Sequence, residues 1–274
     1  NFVIVSTNGS GSDGDININD AVSWTANQLT LTATNDINVN AVIDASVTGT
    51  LELNTGVSSG VNIGFDPDGA FLGSINFAQS GKTVNGSDLL TINGNSYTLI
   101  NNFGLASSIT LGDFQAINVD PTGYYALGSN LDAAAIAVNP IASFSGTLNG
   151  LGHSISNVVM ASAQGLIGTA AVGSVIQNIG LEGGALTAAL VNSGGLVGHN
   201  YGTVSNSYNS GTVTSLNGAI GGLIGRNESG TISNSYASGE VAGAVNVGGL
   251  IGFNNSGLIT GSYAEGDVTS AAAG

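Results

Sequence analysis

The chain of 274 residues contains 44 Gly, three Pro, no Cys, two Lys or Arg and 17 Asp or Glu, for a formal net charge of −15. Only 7% of it is charged while 42% is hydrophobic, with a mean hydropathy of +0.31, which excludes intrinsic disorder because that state needs low hydrophobicity and dense charge. Lys82 and Arg226 are too few to neutralise a row of phosphates, the lack of Cys excludes disulfides and thiolate metal sites, and no apolar run approaches the ~18 residues of a membrane helix, so neither nucleic acid nor membrane insertion is expected.

The chain opens on Asn without an initiator Met or a signal peptide and is read as a mature product or a cut-out segment. In residues 1–63, Asp15-Ile16-Asn17-Ile18, Leu29-Thr30-Leu31-Thr32, Ile37-Asn38-Val39 and Leu51-Glu52-Leu53 alternate apolar with polar. Period two predicts half-buried strands that turn one face inward, here as coils of a solenoid. Residues 64–140 hold all three prolines, Pro67, Pro121 and Pro140, together with aromatic clusters, and are expected to form irregular coils or a small inserted subdomain.

From residue 141 to the end an internal repeat dominates. GGLVGHN at residues 194–200 returns as GGLIGRN at 221–227 and GGLIGFN at 248–254, at intervals of 27 residues. The copies continue as TVSNSYNSGTV from Thr203, TISNSYASGEV from Thr231 and LITGSYAEGDV from Leu258. A degenerate copy starts at Gly165-Leu166-Ile167-Gly168 and continues with Val175-Ile176-Gln177-Asn178. Gly density and β-branched residues disfavour helix, and three short β-type runs per period make one triangular coil.

The fold class that follows is all-β, a right-handed parallel β-helix with a less regular middle region. Leu196, Leu223 and Leu250 should stack inside, as should Val204, Ile232 and Ile259. The structural repeat positions are Gly195, Leu196 and Gly198, Gly222, Leu223 and Gly225, and Gly249, Leu250 and Gly252, with Asn206 and Tyr208, Asn234 and Tyr236, and Tyr263 at the following corner. The Asn residues are expected to form a ladder along the axis and the Tyr residues to stack. Coils of about 20 to 27 residues predict roughly ten to thirteen turns in one rod, on the order of 50 to 60 Å long, continuing beyond Gly274.

The repeat array resembles GLUG repeats. YYALGSNLDA at residues 124–133 and PIASFSGTLNGLGHSISN at 140–157 are similar to the segment that introduces such arrays in filamentous-haemagglutinin-like adhesins. GDININDAVSW at 14–24, LTLTATNDINVNAVI at 29–43 and LTINGNSYTLI at 90–100 resemble shaft segments of the same exoproteins. The resemblance implies a large bacterial exoprotein exported by two-partner secretion through an outer-membrane transporter. It implies attachment, cell–cell aggregation or biofilm cohesion at the cell surface, with host or neighbouring-cell surfaces and exopolysaccharide as partners.

Parallel β-helices also carry polysaccharide-degrading enzymes. A lyase needs cations near a uronate, and two are too few; a hydrolase needs two carboxylates about 5 to 10 Å apart. Asp66 and Asp68, in FDPDG, are the most suggestive pair, but Asp-Pro-Asp-Gly is turn chemistry. Asp13 and Asp15 lack a complete Ca²⁺ loop, and His153 and His199 sit beside glycines at repeat turns, His199 being replaced by Arg226 and Phe253 in later copies. No catalytic site, metal or cofactor is expected. The alternative to a shaft is a glycan-binding module, with Tyr124, Tyr125 and Phe71 exposed to stack on sugar rings and Asp66 and Asp68 accepting hydroxyl hydrogen bonds.

Overall fold

The computed structural model describes residues 1–7, 14–46, 48–57, 60–66, 70–77, 89–188 and 190–270. It shows an all-β parallel solenoid, the fold class read from the repeats, with about nine turns. The turns fall into two stacks. In the first, Phe2–Ser6, Gln28–Ala33, Thr50–Asn54 and Leu90–Ile92 lie in parallel register on one face. Ile16–Ile18, Ile37–Val39 and Val61–Ile63 form the second face, and Val22–Trp24, Val42–Ala45 and Ser74–Asn76 the third.

Alternation decides which side chains enter. Gln28–Ala33 buries Leu29, Leu31 and Ala33 while Gln28, Thr30 and Thr32 face outward, and Thr50–Asn54 repeats this with Leu51 and Leu53. Because these strands pair in register, Leu29 lies beside Leu51 and Leu31 beside Leu53.

A tight hairpin ends this stack. Leu90–Ile92 pairs antiparallel with Asn95–Ser96, leaving Asn93 and Gly94 as a two-residue loop, with φ of 49° and 77°. Positive φ at both positions is what a type I′ turn requires, and Asn-Gly supplies it at low steric cost. The chain, now reversed, continues into Thr98–Ile100, and the second stack grows from there: Tyr124–Leu127, Thr147–Ser156, Val175–Glu182, Thr203–Ser205, Thr231–Ser233 and Leu258–Thr260 follow in parallel order. Two further faces are built from Ile141–Phe144 through Ile251–Asn255 and from Val159–Ala161 through Val268–Ser270.

The single rod of ten to thirteen turns is therefore corrected to two stacks with about nine turns. Part of residues 64–140 is spent on reversal and closure instead of coils. The segment after Thr98–Ile100 folds over the start of the second stack, with the 3₁₀ helix Phe114–Val119 burying Phe114 and Ile117 in its core. Phe103 and Phe114 stack there at 5.4 Å, and buried Gln115 donates to the carbonyls of Gly104 and Ala137.

The last turn of the first stack rests on the flank of the second. Phe77 N–H donates to the Gly128 carbonyl at 2.9 Å, and Leu99, Ala126 and Leu151 of the second stack belong to the hydrophobic cluster of the first. At Gly152, φ is +83° and a Cβ would run into the Gly73 carbonyl, so this close approach requires glycine. The last turn of the first stack is thus covered from within the chain, whereas the strands Phe2–Ser6 and Val268–Ser270 at the outer ends stay exposed.

In the repeat array Leu196 and Leu223 are fully buried and Leu250 is partly buried against them, linked by Leu196 N–H to Leu223 O and Leu223 N–H to Leu250 O, each at 3.0 Å. Val204, Ile232 and Ile259 pair in register, the last 38% exposed on the final turn. Leu223→Asp would bury an unpaired charge and should cost at least about 3 kcal/mol. Chemical unfolding that leaves the midpoint of this variant unchanged would contradict the packing.

Candidate functional site

Polar side chains recur along the axis of the second stack as regularly as apolar ones do. Asn200 Nδ2 donates to Asn227 Oδ1 and Asn227 Nδ2 to Asn254 Oδ1, each at 2.8 Å, while each Nδ2 also reaches the carbonyl of Gly202, Gly230 or Gly257. Asn200 and Asn227 are fully buried, so this ladder satisfies amides that would be costly if left unpaired. Sequence reasoning quoted these residues but gave them no role. Their signal was present: the seventh letter of GGLVGHN, GGLIGRN and GGLIGFN stays Asn while the sixth changes.

A second ladder runs through the corner. Asn178 Nδ2 donates to Asn149 Oδ1 at 3.0 Å and Asn206 Nδ2 to Asn178 Oδ1 at 3.1 Å. Asn178, Asn206 and Asn234 adopt φ between 47° and 55°, and Gly261 takes the same place at 55°. Asn and Gly tolerate this left-handed conformation, which bends each long strand into an elbow. Immediately after it, buried Ser207 and Ser235 each donate to a carbonyl two residues back and connect successive turns, Ser207 N–H donating to Ser235 Oγ and Ser235 N–H to Ser262 Oγ.

Tyr208, Tyr236 and Tyr263 stack beside the elbow, with ring centroids 4.9 and 5.3 Å apart and planes within 13° and 8°. Burial and the hydrogen bond donated by Tyr208 to Glu182 raise the Tyr208 pKa, and burial pushes that of Tyr236 up to about 12. The first stack seals this column. Phe65 and Phe71 form a β-bridge and face each other at 5.2 Å, and Phe71 lies 5.6 Å from Tyr208 while Phe65 lies 5.7 Å from Tyr236.

This packing corrects two of the expected glycan contacts. Phe71 is half-buried, its ring packed 5.6 Å from that of Tyr208 on the second stack. Tyr125 is buried, 6% exposed, since it follows Tyr124 on a strand and takes the inward face; its ring packs on Phe144 and its hydroxyl donates to the Asp120 carbonyl. Tyr124 is exposed, edge-on to Tyr97 at 5.4 Å. Asp66 is half-buried at the turn, where its N–H donates to the Ala70 carbonyl. Asp68 and Asp13 lie outside the described residues, and Asp15 Oδ1 accepts the Asp36 N–H. Among the described residues no three His, Asp or Glu side chains converge as a metal site.

His153 occupies the junction itself. Its Nε2 lies 3.0 Å from the Ile75 carbonyl of the first stack and its Nδ1 3.1 Å from Asn130 Oδ1, an atom that already accepts the Ser154 N–H. Both ring nitrogens thus face acceptors, whereas a neutral imidazole has one N–H. Burial outweighs the pull of the Ile75 carbonyl and holds the His153 pKa below 6.5.

Between the stacks runs a polar groove. One part, of about 560 Å³, lies among Asn62, Phe65, Asn234 and Tyr263. A second, of about 460 Å³, extends past Asn93, Asn95, Tyr97 and Gln177. Asn62, Asn206 and Asn234 line both, so the two adjoin along the junction. A separate cleft of about 440 Å³ at the start of the second stack holds Asp113 and Asp132 among Asn101, Asn102 and Asn130. There Asp113 accepts from Ser108, and Asp132 accepts from Asn157 and the Ala134 N–H.

The GLUG motif matches three times. The matched residues are 189–214, 217–242 and 243–269, the turns that carry the Asn200 ladder and the Tyr column. The chain is also similar to halomucin of Haloquadratum walsbyi, 36% identical over 137 residues, covering 42% of this chain and 2% of that protein. The chain therefore spans about 2% of the length of the curated relative it matches. No solved structure matches. No helix among the described residues is long and apolar enough to cross a membrane.

A His whose folded pKa is below its unfolded value near 6.5 leaves stability intact above that pH and removes it as pH falls toward the folded pKa. Between pH 7 and 5 the thermal midpoint of the chain should drop, and His153→Gln should drop less. An equal fall in both proteins would place the acid sensitivity elsewhere.

Proposed function

We propose that this chain is a structural segment of a surface-associated repeat protein. Its work is mechanical: the coils form a stiff body that holds other parts of a longer protein in place. The observation that carries this reading is the run of ladders along the axis, in which each turn supplies the hydrogen-bond and ring partner of the next. Such an assembly resists partial opening, because removing one turn leaves buried amides and rings of its neighbour unpaired. The matches to GLUG repeats and to a stretch of halomucin support a repeat-rich surface protein.

The finer reading is a shaft segment of a secreted bacterial adhesin of the filamentous-haemagglutinin kind. In that reading it is exported by two-partner secretion through an outer-membrane transporter and acts in attachment, aggregation or biofilm cohesion. Surfaces of host or neighbouring cells and exopolysaccharide are the partners it implies. The segment itself is proposed to have no catalytic role, and incubation with polysaccharides should release neither reducing ends nor unsaturated products.

Force spectroscopy tests the mechanical role. Pulling from the C-terminus should unravel the GLUG turns one at a time, in steps of about 9 nm, the extended length of 27 residues. A single collapse at low force, without regular steps, would contradict a load-bearing solenoid.

A further inference from the structure

We infer that the groove between the two stacks binds a neutral oligosaccharide in extended form. This goes beyond the structural role, which does not need a ligand. It also uses none of the residues singled out for sugar contact in the sequence.

The lining decides the chemical class. Among the described residues no charged side chain borders either part of the groove; its polar surface is made chiefly by the amides of Asn62, Asn93, Asn95, Gln177, Asn206 and Asn234. Among the described residues phosphate, sulfate or uronate would meet no cation there, in a chain of net charge −15, and a metal ion no carboxylate. A carboxamide offers two donors and an acceptor side by side, which matches the double role of a sugar hydroxyl as donor and acceptor. The volumes of the two parts lie within the ~300 to 1,000 Å³ of small-ligand sites.

The amides are positioned and only partly used. Outside the groove, Asn38 Nδ2 donates to Asn17 Oδ1 at 2.9 Å and Asn62 Nδ2 donates to Asn38 Oδ1 at 3.1 Å, so Asn62 is the last rung of a ladder on the first stack. Asn206 is likewise the last rung of the elbow ladder on the second stack. Each terminal rung spends an N–H on the ladder and leaves its carbonyl oxygen without a protein donor among the described residues. The Asn234 side chain, exposed in the same groove, makes no hydrogen bond to described residues. Two ladders thus end facing one channel, their amides oriented in advance, which lowers the ordering cost of binding.

Rings complete the match. Phe65 and Tyr263, both half-buried, border one part of the groove and offer apolar surface to the C–H faces of pyranose rings while the amides take the hydroxyls. Successive rungs are separated by the strand spacing of about 4.8 Å, comparable to the advance of one sugar along an extended chain.

The test uses the 274-residue chain on an array of neutral and uronic-acid oligosaccharides, followed by calorimetric titration with the best neutral hexasaccharide. The expected result is binding to neutral glycans, weakened about tenfold or more by Asn62→Ala and by Asn234→Gly, the latter keeping the left-handed φ that Gly261 shows at the same place, with unchanged thermal midpoints. Asn255→Ala, which removes an exposed amide outside the groove, should leave the affinity unchanged. Silence across the neutral glycans, stronger binding of the uronic acids, or wild-type affinity in both groove variants would overturn the assignment. A stepwise force curve together with a silent array would retain the structural role and remove the ligand alone.

Discussion

Everything in this molecule depends on one constraint: in a parallel stack, each residue has the corresponding residue of the next turn as its neighbour, one strand spacing away. Apolar side chains meet it easily, since Leu196 on Leu223 on Leu250 is a continuous core. Buried polar groups that recur from turn to turn meet it by becoming each other's partners. Asn200, Asn227 and Asn254 do so through side-chain amides, and Ser207, Ser235 and Ser262 by placing a hydroxyl under the next backbone N–H. A ladder also has ends, and the ends show the cost: at Asn149, where the preceding turn offers Ala126, the buried Nδ2 has no partner among the described residues.

Repetition made most of the second stack legible. A motif that returns every 27 residues places the same letters at the same point of each coil, so the strands, the inward Leu and Val or Ile positions and the Tyr column can be read directly. The elbow at Asn206 and Asn234 was visible as a corner, and its left-handed φ explains why Gly261 can replace Asn there. Tyr125 was misread for want of a parity argument: on a strand, neighbours Tyr124 and Tyr125 must face opposite ways, and only one of them reaches solvent.

The junction was not legible, because it is a contact between segments that share no repeat. Asn93-Gly94 is a strong hairpin signal, and LTINGNSYTLI contains it in full, yet the segment's resemblance to adhesin shafts points to parallel coils instead. Once the chain reverses there, Phe65 and Phe71 come to rest on the Tyr column and His153 meets the Ile75 carbonyl, 78 residues away. The polar groove is a consequence of the same reversal. Neither of its walls resembles a binding site alone, and the two become one only because separate ladders end opposite each other.

The packing of one stack on the flank of the other is the central claim, and aromatic nuclear Overhauser contacts test it without altering the protein. With Phe and Tyr rings selectively labelled, the Tyr208–Tyr236 contact within the second stack serves as the internal standard, at 4.9 Å between centroids. The account predicts a second contact between Phe71 and Tyr208, whose rings lie 5.6 Å apart. In a single continuous rod those residues would be several turns, more than about 20 Å, apart. A clear Tyr208–Tyr236 signal without any Phe71–Tyr208 signal would contradict the two-stack arrangement.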